Sequence, residues 1–484
     1  MLTVLSRNDI ERIHSATLDI LEDVGVALDH EEVLTGLEKA GAKVDYEKKV
    51  VRIPEFLLKE TIKKVPSRVS FLARDPKHDL RIGGGEHVYF TNGFGAVYVL
   101  DLEKAKRRLA TVADAKNFTL LSDALESVDY VIAHCIPQDV PGTLADRYLA
   151  FTMLTNTTKH CSLTTLSLEG AKDAIRMASV LVGGEEQLRK KPGIINGSIL
   201  PVSPLQYAHD SIARLIEFGT YGIPVALCSG VISGATGPVT LAGTLALVNA
   251  ENLAGIVVGE LFNPGTPILY GTMATIMDLK YGSYAYGSPE QALLNAASTQ
   301  MAHYYDLPIY GTAGTIDSKL PDEQAAYECA ISNLLAALSG TDIVHDGVYG
   351  ILESAKTASY EQLLISHEIV SMVKRVRSGV QVTTEGLAAD IIRSVGPGGS
   401  FLKEMSALVH TKKHLFGEHW QVCLTDRTGR SEWEHKGSKD IVQRARDTVQ
   451  ELLRTHKPDP IGKSIEEEMK KILEQAIHAH AKSS

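Results

Sequence analysis

The stretch that decides the fold is Leu307-Pro308-Ile309-Tyr310-Gly311-Thr312-Ala313-Gly314-Thr315-Ile316-Asp317-Ser318-Lys319. Its first half predicts a short buried strand that is entered through a proline, and its second half is a loop of glycines and small hydroxyl residues. A helical pattern follows over residues 322–338. The same unit of strand, polar small-residue loop and helix recurs along the chain, so the packing of these units sets the architecture.

Eight apolar runs rich in β-branched residues predict strands, and each is followed by a predicted helix. The strands end near Thr91, Cys135, Thr165, Ser198, Ser229, Thr272, Thr312 and His345. The helices occupy residues 112–126, 142–155, 168–182, 206–221, 239–262, 289–305, 322–339 and 360–378. This count is typical of an α/β protein of the (β/α)8 or TIM-barrel class. A doubly wound open sheet is the competing architecture, but its glycine fingerprint follows the first strand, whereas Gly83-Gly84-Gly85 precedes it.

The barrel and its catalytic site are predicted over residues 86–380. Residues 1–85 form a mostly helical N-terminal extension in this interpretation, and residues 381–484 form a helical C-terminal extension. These helical termini favour a homo-oligomer.

Composition and charge exclude several classes of partner. The formal net charge is -10 and no run of Lys or Arg is longer than three residues, so nucleic acid is not expected as a partner. The first residues lack the apolar core of a signal peptide, and the apolar stretches are interrupted before the length of a membrane span. The five cysteines are scattered and odd in number, which fits reduced thiols in the cytoplasm.

The carboxyl ends of the strands are expected to carry the site, as in other barrels of this class. They hold hydroxyl, amide, aromatic and imidazole groups but no Arg, which disfavours phosphate and suits a small cation or zwitterion. Aromatic faces attract quaternary ammonium groups by about 2 kcal/mol when desolvated. Nine rings lie near the predicted mouth, and most of them could equally pack between strand and helix: Tyr89, Phe94, Tyr98, Tyr270, Tyr281, Tyr284, Tyr286, Tyr310 and Tyr349.

From these residues we predict a cation cage with polar contacts beside it. His345 is the predicted catalytic residue, able to hydrogen-bond a carboxylate or to act as an acid, although a core histidine would show the same pattern. The predicted substrate-binding residues are Asn92, Phe94, Tyr98, Tyr310, Thr312, Thr315 and Tyr349.

No metal site is predicted. His134, His345, Cys135, Cys161 and Cys228 could be zinc ligands, but none has a spacing such as CxxC or HExxH. Strand alternation also directs His134 and Cys135, which are neighbours in one predicted strand, to opposite faces of the sheet.

Several longer stretches resemble the trimethylamine methyltransferase family, and in particular its members without pyrrolysine, which act on glycine betaine and related betaines. The stretches are LSRNDIERIHSATLDILEDVGV, SGATGPVTLAGTLALVNAENLAGIVVGELFNPGTPILYG, GSPEQALLNAASTQMAHYYDLPIYGTAGTIDSKLPDEQAAYE, SYEQLLISHEIV, GPGGSFL and DRTGRSEWEHKGSKDIVQRARD. They are spread over nearly the whole chain, and their combination is specific.

The resemblance implies a barrel that moves a methyl group from a substrate nitrogen to the Co(I) of a corrinoid, in one-carbon metabolism such as methanogenesis. The corrinoid rides on a cognate corrinoid protein that docks at the barrel mouth. The chain lacks a DxHxxG corrinoid-ligand motif, since residues 342–347 have the wrong spacing, so no tightly bound cofactor is expected. In the trimethylamine enzymes of this family a pyrrolysine is thought to engage the amine. A quaternary amine needs no such residue, because its nitrogen is already charged and leaves as a neutral tertiary amine.

The identity of the quaternary amine stays open at this stage. Without an Arg at a strand end, a substrate carboxylate would be held by His345, Asn92, Thr312, Thr315 or backbone N–H groups. Glycine betaine, proline betaine, carnitine and γ-butyrobetaine are all candidates. The alternatives to this function are a zinc-dependent thiol or alcohol methyltransferase, a non-catalytic betaine-binding barrel, and a lyase that uses Lys319 as a Schiff base.

Overall fold

The computed structural model describes residues 1–104 and 106–483. Within these ranges, eight parallel strands form one sheet in which spatial neighbours follow the order of the chain. The strands are β1 (Tyr89–Asn92), β2 (Val131–Ile132), β3 (Cys161–Leu163), β4 (Ile195–Ile199), β5 (Val225–Ser229), β6 (Ile268–Thr272), β7 (Ile309–Thr312) and β8 (Ile343–Val348). A parallel bridge between Thr91 and Tyr130 brings β1 beside β2 and closes the barrel. The (β/α)8 prediction is therefore confirmed, and the open doubly wound sheet is wrong.

A helix follows each strand and covers the outside of the barrel. The helices are α1 (Val112–Ala124), α2 (Ala145–Asn156), α3 (Leu168–Val182), α4 (His209–Thr220), α5 (Leu241–Phe262), α6 (Pro289–Tyr304), α7 (Glu323–Ser339) and α8 (Tyr360–Arg377). Local signals fix their ends. Thr111 and Asp114 cap the start of α1 reciprocally, and α7 ends at Gly340 with a left-handed φ of 81°, a conformation that glycine adopts without steric cost.

Helix α5 is mostly apolar because protein surrounds most of its surface. Among the described residues it is the one helix long and apolar enough to cross a membrane by length and composition, but 83% of its most apolar window is buried. Its inner face contacts β5 and β6, and its outer face contacts the N-terminal helices Arg7–Asp19 and Glu55–Ile62. Burial inside the protein accounts for its composition.

The N-terminal segment contains short strands as well as the helices that the sequence predicted. Its helices are Arg7–Asp19, Glu31–Lys39 and Glu55–Ile62, and its strands are Val26–Leu28, Lys43–Asp45, Val50–Arg52, Val69–Phe71 and Leu80–Ile82. Strands of three residues are too short to show a period-two pattern, which is why sequence reasoning missed most of them. The boundaries at residues 85 and 380 stay a prediction.

A hairpin from the N-terminal segment fills one end of the barrel. Its strands Val69–Phe71 and Leu80–Ile82 place apolar side chains in a buried cluster with barrel residues that include Tyr130, Tyr310 and Ile343. The Phe71 ring stacks on the His160 imidazole with centroids 4.2 Å apart. The hairpin therefore leaves the carboxyl ends of the strands as the open end.

The C-terminal segment is helical, as predicted. Its helices are Thr384–Leu387, Ala389–Val395, Met405–Glu418, Arg430–His435, Ile441–Thr455 and Lys463–Ser483. Ile441–Thr455 packs on α8 and α1, and Lys463–Ser483 packs on α3 and α2.

Short strands in the loops raise the rim of the open end. One small sheet consists of Ile232–Ser233, Thr275–Asp278 and Ser283–Ala285, from the loops after β5 and β6. Another consists of Ile351–Leu352, Thr357–Ser359, Tyr98–Leu100 and Arg107–Leu109, from the loops after β8 and β1. These two sheets wall the space above the strands.

The Asn92 side chain joins β1 to β2 where the barrel closes. Its Nδ2 donates to the Ile132 carbonyl at 2.7 Å, and its Oδ1 accepts from the Ile132 N–H at 3.0 Å. Asn92 is fully buried, so its loss would leave two buried backbone groups of β2 without partners.

We expect Asn92→Ala to lower the free energy of unfolding by about 2–4 kcal/mol, because each unpartnered backbone group costs about 1–3 kcal/mol. Urea unfolding followed by circular dichroism measures this change. The exposed Asn8→Ala serves as the control and should change the midpoint little. Wild-type stability of Asn92→Ala together with lost substrate affinity would restore Asn92 as a substrate contact.

Candidate active site

A cavity of about 310 Å³ opens at the carboxyl ends of the barrel strands. Leu200 in its wall is 42% exposed, so the cavity reaches the surface. Its volume lies at the lower end of the range of small-molecule sites, about 300–1,000 Å³. The lining residues come from strand β8 and from the loops after six of the strands: Phe94, Gly95, Ile136, Leu200, Gly230, Ile232, Met273, Thr275, Tyr284, Tyr286, Asp346, Tyr349 and Ala355.

Larger grooves of about 760 Å³ lie where the C-terminal helices meet the helices of the barrel. They sit in the outer layer, whereas barrels of this class carry their active sites at the carboxyl ends of the strands. The mouth cavity, which we call the mouth site, is therefore the candidate.

Aromatic rings dominate the wall of the mouth site. The Tyr284 and Tyr286 rings meet edge to face with centroids 5.9 Å apart, and the Tyr286 and Tyr349 rings meet in the same way at 6.1 Å. Phe94 lines the same cavity. Rings in this arrangement present several faces and edges to one small space, which is the construction that recognises quaternary ammonium ions.

A carboxylate lies among these rings because strand β8 is irregular. The register of β8 against β1 shifts between Val344 and Val348, and Asp346 has a left-handed φ of 69°. Asp tolerates this conformation better than most residues. Asp346 is 2% exposed, accepts from the Phe94 N–H at 3.0 Å and from the Tyr286 hydroxyl at 3.3 Å.

Within the part of the chain that the structure describes, the lining of the mouth site contains an acidic side chain and no basic one. Among its described lining residues, Asp346 is the one acidic side chain, and Lys, Arg and His are absent. Burial, with the Asp346 charge as a further cause, raises the pKa of Tyr286 and of Tyr349 well above the ordinary phenol value. Both rings therefore stay neutral at physiological pH, and the site can attract a cation through Asp346 and the ring faces.

The loop after β7 holds the tyrosines in place. The Asp317 carboxylate accepts from the N–H groups of Tyr286 and Gly287 at 3.0 and 2.9 Å. The Thr315 hydroxyl donates to the Tyr286 carbonyl, and the Tyr284 hydroxyl donates to the Ser354 carbonyl. The Leu307–Lys319 stretch thus fixes the position of the wall that follows β6.

Two of the eight predicted site residues line the mouth site, and four others are buried in β7, in β8 or directly after β7. Phe94 and Tyr349 line the cavity. His345 lies behind Asp346, with 3.0 Å between His345 Nδ1 and Asp346 Oδ2, and its ring is 5.2 Å from the Tyr310 ring. The remaining predicted residues in this group, Thr312 and Thr315, are buried in and after β7.

Two predicted residues lie elsewhere. Asn92 does not line the cavity, because its amide is engaged with Ile132 in the barrel wall. Tyr98 belongs to the small rim sheet formed by the loops after β8 and β1. The guanidinium carbon of Arg107 lies 3.7 Å from the centre of the Tyr98 ring. Neither residue is part of the cavity lining.

Sequence reasoning missed Asp346 as a site residue. Regular strand alternation would direct Asp346 away from the face that His345 occupies, and the irregularity in β8 cancels this rule. Tyr284 and Tyr286 were among the rings expected near the mouth, but no spacing signal distinguished them from rings that pack in the core. The Asp-Gly pair that ends the β8 pattern is the signal that could have indicated the irregularity.

The histidines and cysteines that could have held zinc are separated. The described residues contain no group of three or more His, Cys, Asp or Glu side chains placed to hold a metal ion. His134 stacks on Phe118 of α1 at 4.3 Å, and burial lowers its pKa to about 3. Burial raises the pKa of the Cys161 thiol to about 12 and that of Cys135 well above its usual value, so these thiols are protonated and unreactive.

Lys319 points away from the mouth site. It is exposed, and its ammonium donates to the Asp317 carbonyl at 3.0 Å. This position gives no support to a Schiff base inside the cavity.

The chain is similar to known methyltransferases over nearly its full length. The model of the family described as "Trimethylamine methyltransferase (MTTB)" matches residues 1–478. Trimethylamine methyltransferase MttB of Desulfitobacterium hafniense is 36% identical over 474 residues, which cover 98% of this chain and 94% of the relative. Glycine betaine methyltransferase of Desulfitobacterium hafniense is 32% identical over 475 residues, which cover 98% and 96%.

A solved structure shares the fold. The monomethylamine methyltransferase MtmB of Methanosarcina barkeri superposes with a TM-score of 0.53 at 12% identity, covering 93% of this chain and 88% of that chain. At this identity the likeness concerns the fold alone.

The cage predicts binding of a bare quaternary ammonium ion. Tetramethylammonium should bind the wild-type protein, and Tyr286→Leu should weaken binding by about 30-fold, which corresponds to the loss of about 2 kcal/mol from a desolvated cation–π contact. Tyr286→Phe keeps the ring and should lose much less. Isothermal titration calorimetry measures both; equal losses for the two variants would contradict a role of the ring face.

Proposed function

Because the chain belongs to the trimethylamine methyltransferase family, we propose that it takes a methyl group from a quaternary amine in the mouth site and delivers it to the Co(I) of a corrinoid. The corrinoid is carried by a cognate partner protein. One observation carries the proposal: a buried carboxylate stands among four aromatic rings in a cavity at the carboxyl ends of the strands. A fixed cation is the ligand that this combination suits best.

The quaternary nitrogen needs little chemical help from the protein. Its charge makes each methyl carbon electrophilic, and the departing tertiary amine is neutral. The tasks left to the chain are to hold the cation, to direct one methyl group towards the open end and to keep water out. The rings of Tyr284, Tyr286 and Tyr349 line the cavity and would keep water from the bound nitrogen, and Asp346 would attract its positive charge.

A Co(I) corrinoid supplies the nucleophile when its carrier protein is docked. The rim around the mouth site fits a protein partner, because apolar side chains from the loops after several strands project there. Each of them is at least 42% exposed: Leu166, Leu200, Val202, Val239, Leu279, Tyr281 and Leu320. Apolar surface of this extent around a site is typical of an interaction surface.

Candidate substrates are quaternary amines small enough for about 310 Å³. Glycine betaine is a candidate because one of the similar proteins is named for it. Proline betaine, carnitine and γ-butyrobetaine are the other candidates. The reaction on such amines and a cytoplasmic location, which suits the free cysteines, are parts of the same proposal.

The roles proposed for six of the predicted residues change with the geometry. Tyr310, Thr312 and Thr315 are buried outside the cavity lining and become structural residues. His345 becomes a positioning residue that acts through Asp346, since its imidazole lies 3.0 Å from the carboxylate and outside the cavity lining. Asn92 becomes a structural residue of the barrel wall. Tyr98 becomes a rim residue, and the cage consists of Phe94, Tyr284, Tyr286 and Tyr349.

The alternative of a non-catalytic barrel predicts binding without methyl transfer. The described side chains give less support to the zinc-dependent alternative, because its candidate ligands are dispersed. The lyase alternative has lost its residue, since Lys319 faces solvent.

The proposed reaction predicts that a quaternary amine consumes the Co(I) absorption band of reduced cobalamin in the presence of the enzyme. Glycine betaine, proline betaine, carnitine, γ-butyrobetaine, choline and trimethylamine are tested in separate runs. Tyr286→Leu should slow the decay by about 30-fold, as it weakens the cage, whereas the exposed Asn8→Ala should not change it. If every amine leaves the band unchanged with free cobalamin and with the cognate corrinoid protein, the non-catalytic alternative replaces this function.

We also propose that a second copy of the chain covers the segment over residues 380–422. Its apolar side chains are each at least 39% exposed: Val380, Val382, Leu387, Ile392, Phe401, Leu402, Met405, Leu408, Val409, Phe416 and Val422. Exposed apolar side chains concentrated in one segment in this way are typical of an interaction surface.

The dimer proposal predicts a particle of at least twice the chain mass of 52.5 kDa. Size-exclusion chromatography with light scattering measures it. Leu402→Asp combined with Phe416→Asp should shift the particle to the single-chain mass, because buried charges without partners are costly. The rim variant Leu279→Asp is the matched control. A wild-type monomer at micromolar concentration would contradict the proposal.

A further inference from the structure

We propose that the mouth site selects quaternary ammonium ions that carry no carboxylate close to the nitrogen, with choline as the simplest example. This inference rests on the proposed function and narrows its substrate class. It depends on the sign of the charges around the cavity rather than on the cavity's shape. The shape accepts any small trimethylammonium compound, whereas the charges distinguish between them.

Asp346 is the charge that a bound substrate meets. Its carboxylate is buried and accepts hydrogen bonds from the Phe94 N–H and the Tyr286 hydroxyl. His345 lies behind the carboxylate and outside the lining, so a substrate group inside the cavity reaches Asp346 before it reaches the imidazole.

Two basic side chains in the loops around the mouth, Arg107 and Lys319, are engaged elsewhere. Arg107 stacks on Tyr98 and pairs with Glu353, with 3.0 Å between its Nη1 and Glu353 Oε2. Lys319 faces solvent and donates to a backbone carbonyl. Within the described part of the wall, a substrate carboxylate therefore finds no cationic side chain to pair with.

The position of a substrate carboxylate decides its effect. In glycine betaine a single methylene separates the carboxylate from the nitrogen, so both groups must share the cavity with Asp346 when the nitrogen is caged. Like charges at such short range in a site of low dielectric repel strongly. In γ-butyrobetaine a longer chain lets the carboxylate extend to the open end, where water solvates it. Choline carries a neutral hydroxyl and avoids the repulsion altogether.

The expected order of preference follows from how far each compound holds its carboxylate from the nitrogen. Choline should be preferred over γ-butyrobetaine, and γ-butyrobetaine over glycine betaine. Asp346→Asn is the variant that isolates the charge, because the asparagine has the same shape and its Oδ1 can still accept from the Phe94 N–H. It should reduce the preference without removing the cage.

The test combines binding and turnover. Isothermal titration calorimetry gives the affinities of choline, γ-butyrobetaine and glycine betaine for the wild-type enzyme, and the Co(I) assay gives kcat/KM for the same three compounds. We expect choline to exceed glycine betaine by roughly tenfold or more in both measurements. In Asp346→Asn, choline should lose roughly tenfold, while glycine betaine should change by less than about threefold.

The outcomes separate this inference from the proposed function. Turnover with glycine betaine preferred over choline would leave the function standing and overturn the charge selection. Binding in the expected order without any methyl transfer would support the charge selection and remove the function. The wild-type affinities decide the inference even if Asp346→Asn fails to fold, and equal affinities for choline and glycine betaine would overturn it.

Discussion

The burial of the Asp346 carboxylate is the constraint on which the mouth site depends. A buried charge is costly unless hydrogen bonds and an opposite charge compensate it. The protein provides two hydrogen-bond donors, the Phe94 N–H and the Tyr286 hydroxyl, and a histidine behind the carboxylate. A cation that enters the cavity completes the compensation. A positively charged ligand therefore binds favourably, because it stabilises a carboxylate that is buried among aromatic rings.

The parts of the barrel cooperate to make this arrangement. The irregularity in β8 turns Asp346 towards the cavity, and the loop after β7 anchors Tyr286 through Asp317 and Thr315. The hairpin Val69–Phe71 and Leu80–Ile82 fills the opposite end of the barrel, so that one end remains open to ligand. A fold that is common to many enzymes thus acquires its charge selectivity from a few loop contacts.

The architecture could be predicted from sequence because its signals are local and repeated. The Leu307–Lys319 stretch and its seven counterparts each combine an apolar run, a small-residue loop and a helical pattern, and these fixed the number and order of the strands. The helix caps at Thr111 and Asp322 also lie in the local sequence. Phe94, Tyr349 and His345 were placed near the site by the general rule that strand ends carry it.

The rest depended on geometry that alternation cannot foresee. Asp346 was missed because a register shift in β8, rather than a sequence motif, directs its side chain towards the cavity. Asn92 has the composition of a ligand contact, yet it serves barrel closure, because the neighbouring strand offers both a donor and an acceptor at Ile132. The sequence around Tyr98 and Tyr286 does not distinguish their roles. In the folded chain, loop contacts place Tyr98 against Arg107 at the rim and Tyr286 in the wall of the cavity.

The central claim is that the mouth site recognises positive charge. The most direct measurement compares the affinity of choline with that of its neutral isostere, in which a quaternary carbon replaces the nitrogen, by isothermal titration calorimetry on the wild-type protein. The two molecules fill the same volume and bury the same apolar surface, so that charge is the difference between them. The account predicts that choline binds more tightly by roughly tenfold or more. Equal affinities would contradict it and would leave the cavity as an apolar pocket.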